Sequence, residues 1–178
     1  MRTDAHDFVI AELPGQLSRL WRYGLLLSRD RDVAEDLVQA TCLRALERAR
    51  QFTPGTRLDR WLFAILHSIW VNEVRARRIR AGEGHVDPEQ VLVRDGRRDV
   101  ETNILASQVL KEVLALPEAQ RETVLLVYVE GLTYREAATV LEVPIGTVMS
   151  RLATARRKLS GLNEEGLRES GEAAEKAQ

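Results

Sequence analysis

Residues 133–160, TYREAATVLEVPIGTVMSRLATARRKLS, carry the local signal that most restricts the fold of this chain. Thr133 followed three residues later by Glu136 forms a capping box, which predicts the start of a helix. That helix ends near Leu141, and a Val-Pro-Ile-Gly turn leads into a second helix that ends near Leu159. Two short helices joined in this way predict a helix-turn-helix, whose second helix enters the major groove of DNA.

The second helix of this unit has one apolar face and one polar face. At about 100° per residue, one stripe collects side chains that should pack inward, namely Val148, Leu152, Ala155 and Leu159. The opposite face collects residues able to contact bases or phosphates, namely Thr147, Ser150, Arg151, Thr154, Arg157 and Lys158. A basic helix taken alone is more often an ordinary solvated helix. The capping box, the turn and the one-sided basic face together favour DNA binding.

Helical periodicity also dominates the rest of the chain, with proline or glycine interrupting it. In the first half the pattern predicts three longer helices, at about 16–28, 33–51 and 58–80. Upstream of the helix-turn-helix, Pro117 predicts the start of a further helix. No segment shows the alternation expected of a strand, so the predicted fold class is all-α.

The chain is predicted to form two small helical domains. Residues 1–80 form the first and residues 104–162, which contain the helix-turn-helix, form the second. Residues 81–103 lack periodicity and contain three glycines and a proline, which predicts a flexible interdomain linker. Residues 163–178 are acidic and poor in large apolar side chains, which predicts a disordered tail.

The distribution of charge matters more than its total. The net charge of −1 at first argues against a nucleic-acid partner. However, residues 1–80 carry 14 basic and 10 acidic side chains, whereas residues 81–103 carry 3 and 6 and residues 161–178 carry 2 and 5. The acidic segments therefore offset a basic first domain and the basic face in the second.

The predicted helix at 33–51 has an inner face of small and apolar residues, namely Ala34, Leu37, Val38, Thr41, Ala45 and Ala49. Its outer face is charged but also carries Leu43 and Leu46. These two leucines suggest a protein-docking surface, yet scattered surface leucines are common, and the pattern by itself leaves both interpretations open.

The predicted helix at 58–80 begins apolar on almost every side and ends basic. Four arginines lie between positions 75 and 80, and one stripe of the helix contains Ser68, Asn72, Arg75 and Arg78. A helix whose first part is buried and whose second part is basic is suited to lie against a nucleic-acid strand. Its aromatic residues Trp61, Phe63 and Trp70 are predicted to be core rather than base-stacking platforms.

The composition argues against an enzyme or a membrane protein. The three histidines are dispersed, and the chain shows no metal-ligand spacing, phosphate loop or nucleophile elbow. We therefore expect no catalytic residue, metal, cofactor or small-molecule substrate. Cys42 is the only cysteine, which fits a cytosolic setting. The longest uncharged apolar stretch, residues 61–72, is too short to span a bilayer, so we expect a cytoplasmic protein without membrane insertion.

Three stretches, in this order, carry a family resemblance: DVAEDLVQATCLRALERARQF, RLDRWLFAILHSIWVNEVRARR and LPEAQRETVLLVYVEGLTYREAATVLEVPIGTVMSRLATARRKL. They resemble regions 2 and 4 of the extracytoplasmic-function (ECF) sigma factors of bacterial RNA polymerase. The resemblance covers about residues 10–80 and 104–162. It implies a factor that binds core RNA polymerase and directs promoter-specific initiation, with a minus-35 element bound as duplex and a minus-10 element melted.

The resemblance also implies a role for each surface. The outer face of the helix at 33–51 would dock on the clamp helices of the polymerase largest subunit, through Asp36, Gln39, Leu43 and Leu46. The loop 54–59 and the helix stripe with Ser68, Asn72, Arg75 and Arg78 would recognise the minus-10 element. The basic face of the helix-turn-helix, from Thr147 to Lys158, would recognise the minus-35 element. An anti-sigma factor is a further partner implied by the family alone.

The chain departs from the family pattern at two places. His67-Ser68 replaces a frequent Arg-Asn pair, and Trp70 stands where a small residue is usual. Two other classes of function also stay open, a sigma mimic that sequesters an anti-sigma factor and a stand-alone helix-turn-helix regulator. The promoter sequence, the regulon and the inducing signal cannot be deduced from the sequence.

Overall fold

The structure is a computed structural model that describes residues 4–80 and 111–175, with side chains up to residue 160 except those of Arg78 and Arg80. All regular structure in these ranges is helical, so the predicted all-α class is confirmed. The first range contains four α-helices, α1 (Ala5–Glu12), α2 (Leu17–Ser28), α3 (Arg31–Glu47) and α4 (Leu58–Arg80). Short 3₁₀ turns at Leu13–Gln16 and Ala49–Gln51 follow α1 and α3.

The second range opens with helical backbone at 111–115. It continues with α5 (Glu118–Val124), which passes directly into a π-helical turn at Leu125–Val129. The helix-turn-helix is then formed by α6 (Tyr134–Val140) and α7 (Ile145–Glu175). None of the helices in these two ranges is both long enough and apolar enough to cross a membrane.

Local chemistry sets the helix starts that the sequence predicted. The carboxylate of Asp30 accepts hydrogen bonds from the backbone N–H groups of Asp32 and Val33, at 3.0 and 3.2 Å, and so caps α3. The hydroxyl of Thr133 accepts from the N–H of Glu136 at 3.2 Å, while the Glu136 carboxylate accepts from the N–H of Thr133 at 2.9 Å. The capping box at the start of α6 is therefore confirmed.

The last helix ends later than the sequence suggested. We expected it to stop near Leu159, followed by a disordered tail, whereas helical backbone continues to Glu175. Residues 160–175 contain no proline and five glutamates, but they also contain three glycines. Glycine just after the last apolar residue often ends a helix, but the helical backbone of α7 continues through Gly161.

The first half is built on close packing of α2, α3 and α4. Gly24 lets α2 approach α3, since a Cβ atom there would lie only 3.3 Å from the carbonyl oxygen of Ala34. The rings of Tyr23 and Phe63 meet edge to face between α2 and α4, with centroids 5.3 Å apart. Trp70 is also buried, so α4 is anchored in the core along most of its apolar part.

The second half packs onto the first and extends the same core. Leu116, Leu125 and Leu126 are buried and belong to one apolar cluster with the core of α2 and α4. Within the helix-turn-helix, Val148, Leu152 and Ala155 are buried as predicted. The two predicted domains are thus in direct contact. The predicted flexible linker, residues 81–103, lies outside the described residues.

We expect Thr133→Ala to lower the free energy of unfolding by about 1 kcal/mol, because α6 loses its N-cap. Chemical denaturation of the purified chain measures this value. Thr139→Ala is the matched control, since Thr139 is an exposed residue of the same helix whose hydroxyl donates only to the Arg135 carbonyl. Equal losses in the two variants would show that the capping box contributes nothing to stability.

Candidate nucleic-acid interface

The outward face of α7 presents the six side chains that the sequence assigned to DNA. Ser150, Arg157 and Lys158 are exposed, and Thr147, Arg151 and Thr154 are partly exposed. These positions are polar because the buried stripe of Val148, Leu152 and Ala155 occupies the other side of the helix. The buried stripe of α7 therefore leaves these six positions on its polar side.

The cations of this face form no ion pair within 4.0 Å among the side chains that the structure describes. Arg157 donates to the hydroxyl of Thr154 at 3.3 Å, and the hydroxyl of Ser150 donates to the carbonyl of Thr147 at 3.0 Å. Within the described side chains, neither Arg157 nor Lys158 forms an ion pair with an acidic residue, and the same holds for Arg151. Unpaired guanidinium and ammonium groups on a projecting helix are suited to phosphates and guanine edges.

The other flank of α7 carries a contact that the sequence did not predict. Arg156 donates to the hydroxyls of Tyr128 and Tyr134, at 2.8 Å from Nε and 3.0 Å from Nη2. Its guanidinium also lies over the ring of Tyr128, 5.7 Å from the centroid. Tyr128, to which the sequence gave no role, therefore fixes the direction of a cation beside the predicted DNA face.

The stripe on α4 is only partly open to solvent. Asn72 and Arg75 are exposed and Ser68 is partly exposed, while the side chain of Arg78 lies outside the described residues. Between these positions Trp70 is buried, and its indole N–H donates to the Glu118 carboxylate at 2.5 Å. The predicted core position of Trp70 is confirmed.

His67, which like Trp70 departs from the family pattern, faces the second half of the chain as Trp70 does. Its Nε2 lies 3.6 Å from a carboxylate oxygen of Glu122, and both side chains are buried. The structure therefore uses His67 and Trp70 for contact between the halves. Ser68 and Asn72 remain as the polar groups on this part of α4.

The loop before α4 is held by an ion-pair network. Arg57 donates to Asp59 at 2.7 Å and to the capping-box residue Glu136 at 3.3 Å. Asp59 is also 3.0 Å from Arg19. Burial alone would raise the pKa of Asp59, but hydrogen bonds from Arg57, from the backbone N–H of Arg60 and from Arg19 lower it to about 2.

The predicted polymerase-docking residues lie on a separate face. Asp36 and Gln39 are exposed on α3, together with Leu43 at 61% and Leu46 at 40% exposure. The inner side of α3 is buried through Ala34, Leu37, Thr41 and Ala45. Two large apolar side chains are thus left in solvent on an otherwise charged surface.

The structure brings the two predicted DNA-contacting groups together. Ser68, Asn72 and Arg75 of α4 line the same cleft as Arg151 of α7, and the cleft has a volume of about 380 Å³. The predicted docking residues on α3 do not line it. The sequence predicted each surface separately and gave no indication that the two would face each other.

Sequence reasoning missed the residues that join the halves. Glu130 has a side chain only 1% exposed and lies 2.7 Å from Arg19 and 3.2 Å from Arg22. Arg121 is 4% exposed and donates to the carbonyl of Leu26 at 2.7 Å. Glu130 directly follows the apolar run 124–129, which was the available signal for it, whereas Arg121 lies among polar residues and had no such signal. No cluster of three or more potential metal-ligating side chains occurs in the part of the chain that the structure describes.

Comparison with known proteins assigns each half of the chain to a family region. Residues 16–79 match the family model described as "Sigma-70 region 2", and residues 106–159 match "Sigma-70, region 4". The ECF RNA polymerase sigma factor EcfG of Rhodopseudomonas palustris is 34% identical over 157 residues, which is 88% of this chain and 83% of that protein. The ECF RNA polymerase sigma factor SigC of Mycobacterium tuberculosis is 34% identical over 141 residues, covering 79% and 75%.

Solved structures share the arrangement of helices. The sigma factor RpoE of Bartonella quintana, solved with the anti-sigma factor NepR, superposes with a TM-score of 0.69. It is 30% identical, and the match covers 89% of this chain and 97% of that one. CnrH, solved with the cytosolic domain of CnrY, is 22% identical with a TM-score of 0.55 and shows the fold alone.

We expect Asp59 to make stability dependent on pH. Its pKa in the folded chain, about 2, lies below the usual value of 3.8, so its ionised form favours the folded state. That contribution is present above about pH 4 and is lost as the pH falls toward 2. Urea unfolding of the wild type and of Asp59→Asn should therefore give a difference in stability at neutral pH that shrinks near pH 2. A difference that stays constant over this range would contradict the assignment.

Proposed function

Because the chain belongs to the extracytoplasmic-function sigma factors of RNA polymerase, we propose that three of its surfaces divide the work of promoter recognition. Such a factor binds core RNA polymerase and promoter DNA and directs initiation. The family resemblance found in the sequence is thereby confirmed. The proposal concerns which residues make each contact.

The first surface is the outward face of α7, which contacts the minus-35 element as duplex. Arg151 is placed to donate to a guanine edge, and Arg157 and Lys158 to hold phosphates. Thr147, Ser150 and Thr154 supply shorter hydrogen-bonding groups on the same face. The observation that carries this assignment is the absence, among the described side chains, of carboxylate partners for the cations of α7.

The second surface is the α4 stripe with the preceding loop, which receives the melted minus-10 element. Taking a base out of the stack costs a few kcal/mol, which contacts to the flipped base and to the strand must offset. Ser68 and Asn72 offer hydrogen bonds to a base, while Arg75 and Arg78 supply positive charge. Because His67 and Trp70 are engaged with the second half of the chain, base choice depends on Ser68 and Asn72.

The third surface is the outer face of α3, which docks on the polymerase. Leu43 and Leu46 provide apolar area, and Asp36 and Gln39 provide polar contacts around them. A buried apolar centre with a polar rim is the usual composition of such an interface. Both leucines are exposed in the chain without a partner, and this exposure supports the assignment.

The remaining assignments follow from the family. The similar Bartonella protein forms a complex with an anti-sigma factor, and we propose that a regulator of this class also binds the present chain. The polymerase supplies the chemistry, so this chain acts as a non-enzymatic initiation factor without a cofactor. Its site of action is the cytoplasm, where polymerase and promoter DNA meet.

In vitro transcription tests the function as a whole. The purified chain is added to core RNA polymerase and a pool of upstream genomic fragments from its host. New transcripts with fixed start sites are expected, and their promoters would define both elements. Tight polymerase binding without any transcript would contradict the proposal, and DNA binding without polymerase association would indicate a stand-alone regulator.

We expect Arg151→Ala to reduce discrimination at the minus-35 element by about 1–3 kcal/mol if the guanidinium makes a bidentate contact with a base. The measurement compares binding of the holoenzyme to promoters with the native and the scrambled minus-35 element. Arg50→Ala, which removes an exposed arginine after α3, serves as control. An equal loss of affinity for both promoters would show that Arg151 contacts only phosphate.

We expect Leu46→Glu, and separately Leu43→Glu, to weaken association with core polymerase at least tenfold, about 1.4 kcal/mol, because a carboxylate replaces buried apolar area at the interface. Titration of labelled polymerase measures the affinity. Leu17→Glu is matched to Leu46→Glu, since both leucines are 40% exposed and Leu17 lies on α2 outside the proposed surface. If all three variants lose affinity equally, or none does, the docking surface is elsewhere.

A further inference from the structure

The flank of α7 that lies opposite Arg151 carries a cation to which no role has been assigned. Seen along the helix axis, Arg151 and Arg156 lie on opposite sides of the buried stripe, each about 70° from its centre. Lys158 lies on the side of Arg151, and Arg157 lies close to the middle of the exposed face. Arg156 is thus the cation that α7 presents at its second flank.

A helix that enters the major groove has a phosphate strand on each side. A helix with its side chains is about 10–12 Å across, and the groove is about 12 Å wide. Both flanks of a docked α7 therefore come close to phosphates. The cations assigned above serve the middle of the helix and the flank of Arg151, whereas the strand along the other flank would meet Arg156.

Two tyrosines from outside α7 hold the guanidinium of Arg156 in place. Its Nε donates to the hydroxyl of Tyr128 at 2.8 Å, and its Nη2 donates to the hydroxyls of both Tyr128 and Tyr134, the latter at 3.0 Å. The guanidinium also lies over the ring of Tyr128, 5.7 Å from the centroid. A side chain that is already oriented loses less conformational freedom when it binds a ligand.

These contacts leave hydrogen-bond donors available on all three side chains. A guanidinium has five N–H groups, and neither N–H of Nη1 has a partner in the described part of the chain. Each tyrosine hydroxyl accepts from Arg156, so its own hydrogen remains available to donate. Neither hydroxyl donates to an acceptor among the described residues. One positive charge and several adjacent donors are suited to an anionic oxygen.

The cluster of these three side chains is open to solvent. Arg156 is exposed, Tyr128 is 51% exposed and Tyr134 is partly exposed. Within the described side chains, Arg156 forms no ion pair with a carboxylate. An anion from outside the chain can therefore reach the guanidinium.

The position of the cluster in the helix-turn-helix favours DNA as the source of that anion. Tyr134 is the first residue of α6, and Arg156 belongs to the recognition helix α7. In this motif the first helix crosses the DNA backbone while the second enters the groove. Arginine and tyrosine side chains are both common donors to phosphate oxygens.

We propose that Arg156, positioned by Tyr128 and Tyr134, binds a backbone phosphate of the minus-35 duplex on the strand that runs along the flank of α7 opposite Arg151. This inference rests on the proposed binding of that duplex by α7. Phosphate contacts carry no sequence information directly, but they fix the register and orientation of the protein on the duplex. The cluster therefore adds affinity on every sequence and aligns the neighbouring side chains with the bases.

The first test removes the charge in the full-length chain assembled with core polymerase. Affinity for promoters with the native and the scrambled minus-35 element is measured over a range of salt concentrations. We expect Arg156→Gln to lower affinity about tenfold on both promoters alike. The slope of the logarithm of affinity against that of salt should decrease in magnitude by about 0.9, the value for one phosphate. Arg156→Lys, which keeps the charge, should retain most of the slope.

The matched control for the charge is Arg50→Gln. Arg50 is an exposed arginine of the first half, and like Arg156 it forms no ion pair within the described side chains. Its affinity and salt slope should match the wild type. A loss of slope equal to that of Arg156→Gln would overturn the assignment, because it would reflect the total charge of the chain.

The second test locates the phosphate. Each phosphate of the minus-35 duplex is replaced in turn by a neutral methylphosphonate. The wild type should lose affinity at one position that no longer matters to Arg156→Gln. Tyr128→Phe keeps the charge and loses a hydroxyl, so we expect an affinity about threefold lower, a wild-type salt slope and a smaller penalty at the same position. Tyr23→Phe is its control, since the Tyr23 hydroxyl is buried without a partner in the described chain.

The remaining outcomes separate this inference from the proposed function. An Arg156→Gln holoenzyme with the wild-type salt slope and the wild-type response to every methylphosphonate would overturn the phosphate contact. A lower affinity for labelled core polymerase with an unchanged salt slope would also overturn it, and would assign the cluster to a carboxylate of the polymerase. If Tyr128→Phe and Tyr23→Phe behave alike, Tyr128 does not position Arg156. Failure of the minus-35 surface itself would appear as Arg151→Ala that still discriminates like the wild type, with no methylphosphonate affecting any variant.

Discussion

Burial of the Glu130 carboxylate constrains the whole arrangement of the described chain. A carboxylate with 1% of its side chain exposed must be paired, because desolvation of a lone charge is far more unfavourable than folding can compensate. Its partners, Arg19 and Arg22, lie on α2 more than one hundred residues earlier. The π-helical turn before Glu130 places the carboxylate at this surface. The helix-turn-helix that follows is thereby oriented relative to α4.

Polar groups at the end of α2 are also satisfied by a residue of the other half of the chain. The last carbonyls of a helix have no partner within it, and at Leu26 and Leu27 they accept from the guanidinium of Arg121. Burial, followed by the charge of nearby Arg29, lowers the pKa of Arg121 to about 10, which leaves it charged at neutral pH. A positive group at the negative end of a helix is favourable electrostatically as well as through hydrogen bonds. One residue of α5 thus satisfies a helix terminus in the other half of the chain.

The three proposed surfaces differ because the helices that bear them are amphipathic in different ways. In α7 the apolar stripe is narrow, so most of the helix is available for cations and hydroxyls. In α4 the first part is apolar on nearly every side, and the exposed positions, Asn72, Arg75, Ala76 and Ile79, lie in the second part. On α3 the exposed leucines lie opposite a buried face of small residues. The same packing that stabilises each helix therefore fixes which side chains remain for DNA or polymerase.

The sequence alone predicts the helices, the capping box, the inward stripe of α7 and the burial of Trp70 and Phe63, because each depends on spacing along one helix or on a hydrogen bond between near neighbours. It also indicated which residues of α3, α4 and α7 would remain on the outer faces. It did not indicate that α7 continues to Glu175, because Gly161 closely follows the apolar stripe and glycine commonly ends a helix. The packing of the helices places Arg151 opposite Ser68 and Asn72 and brings Glu130 into contact with Arg19. Those contacts join residues tens to more than one hundred positions apart, and they depend on how α2, α4 and α5 pack, which no local pattern specifies.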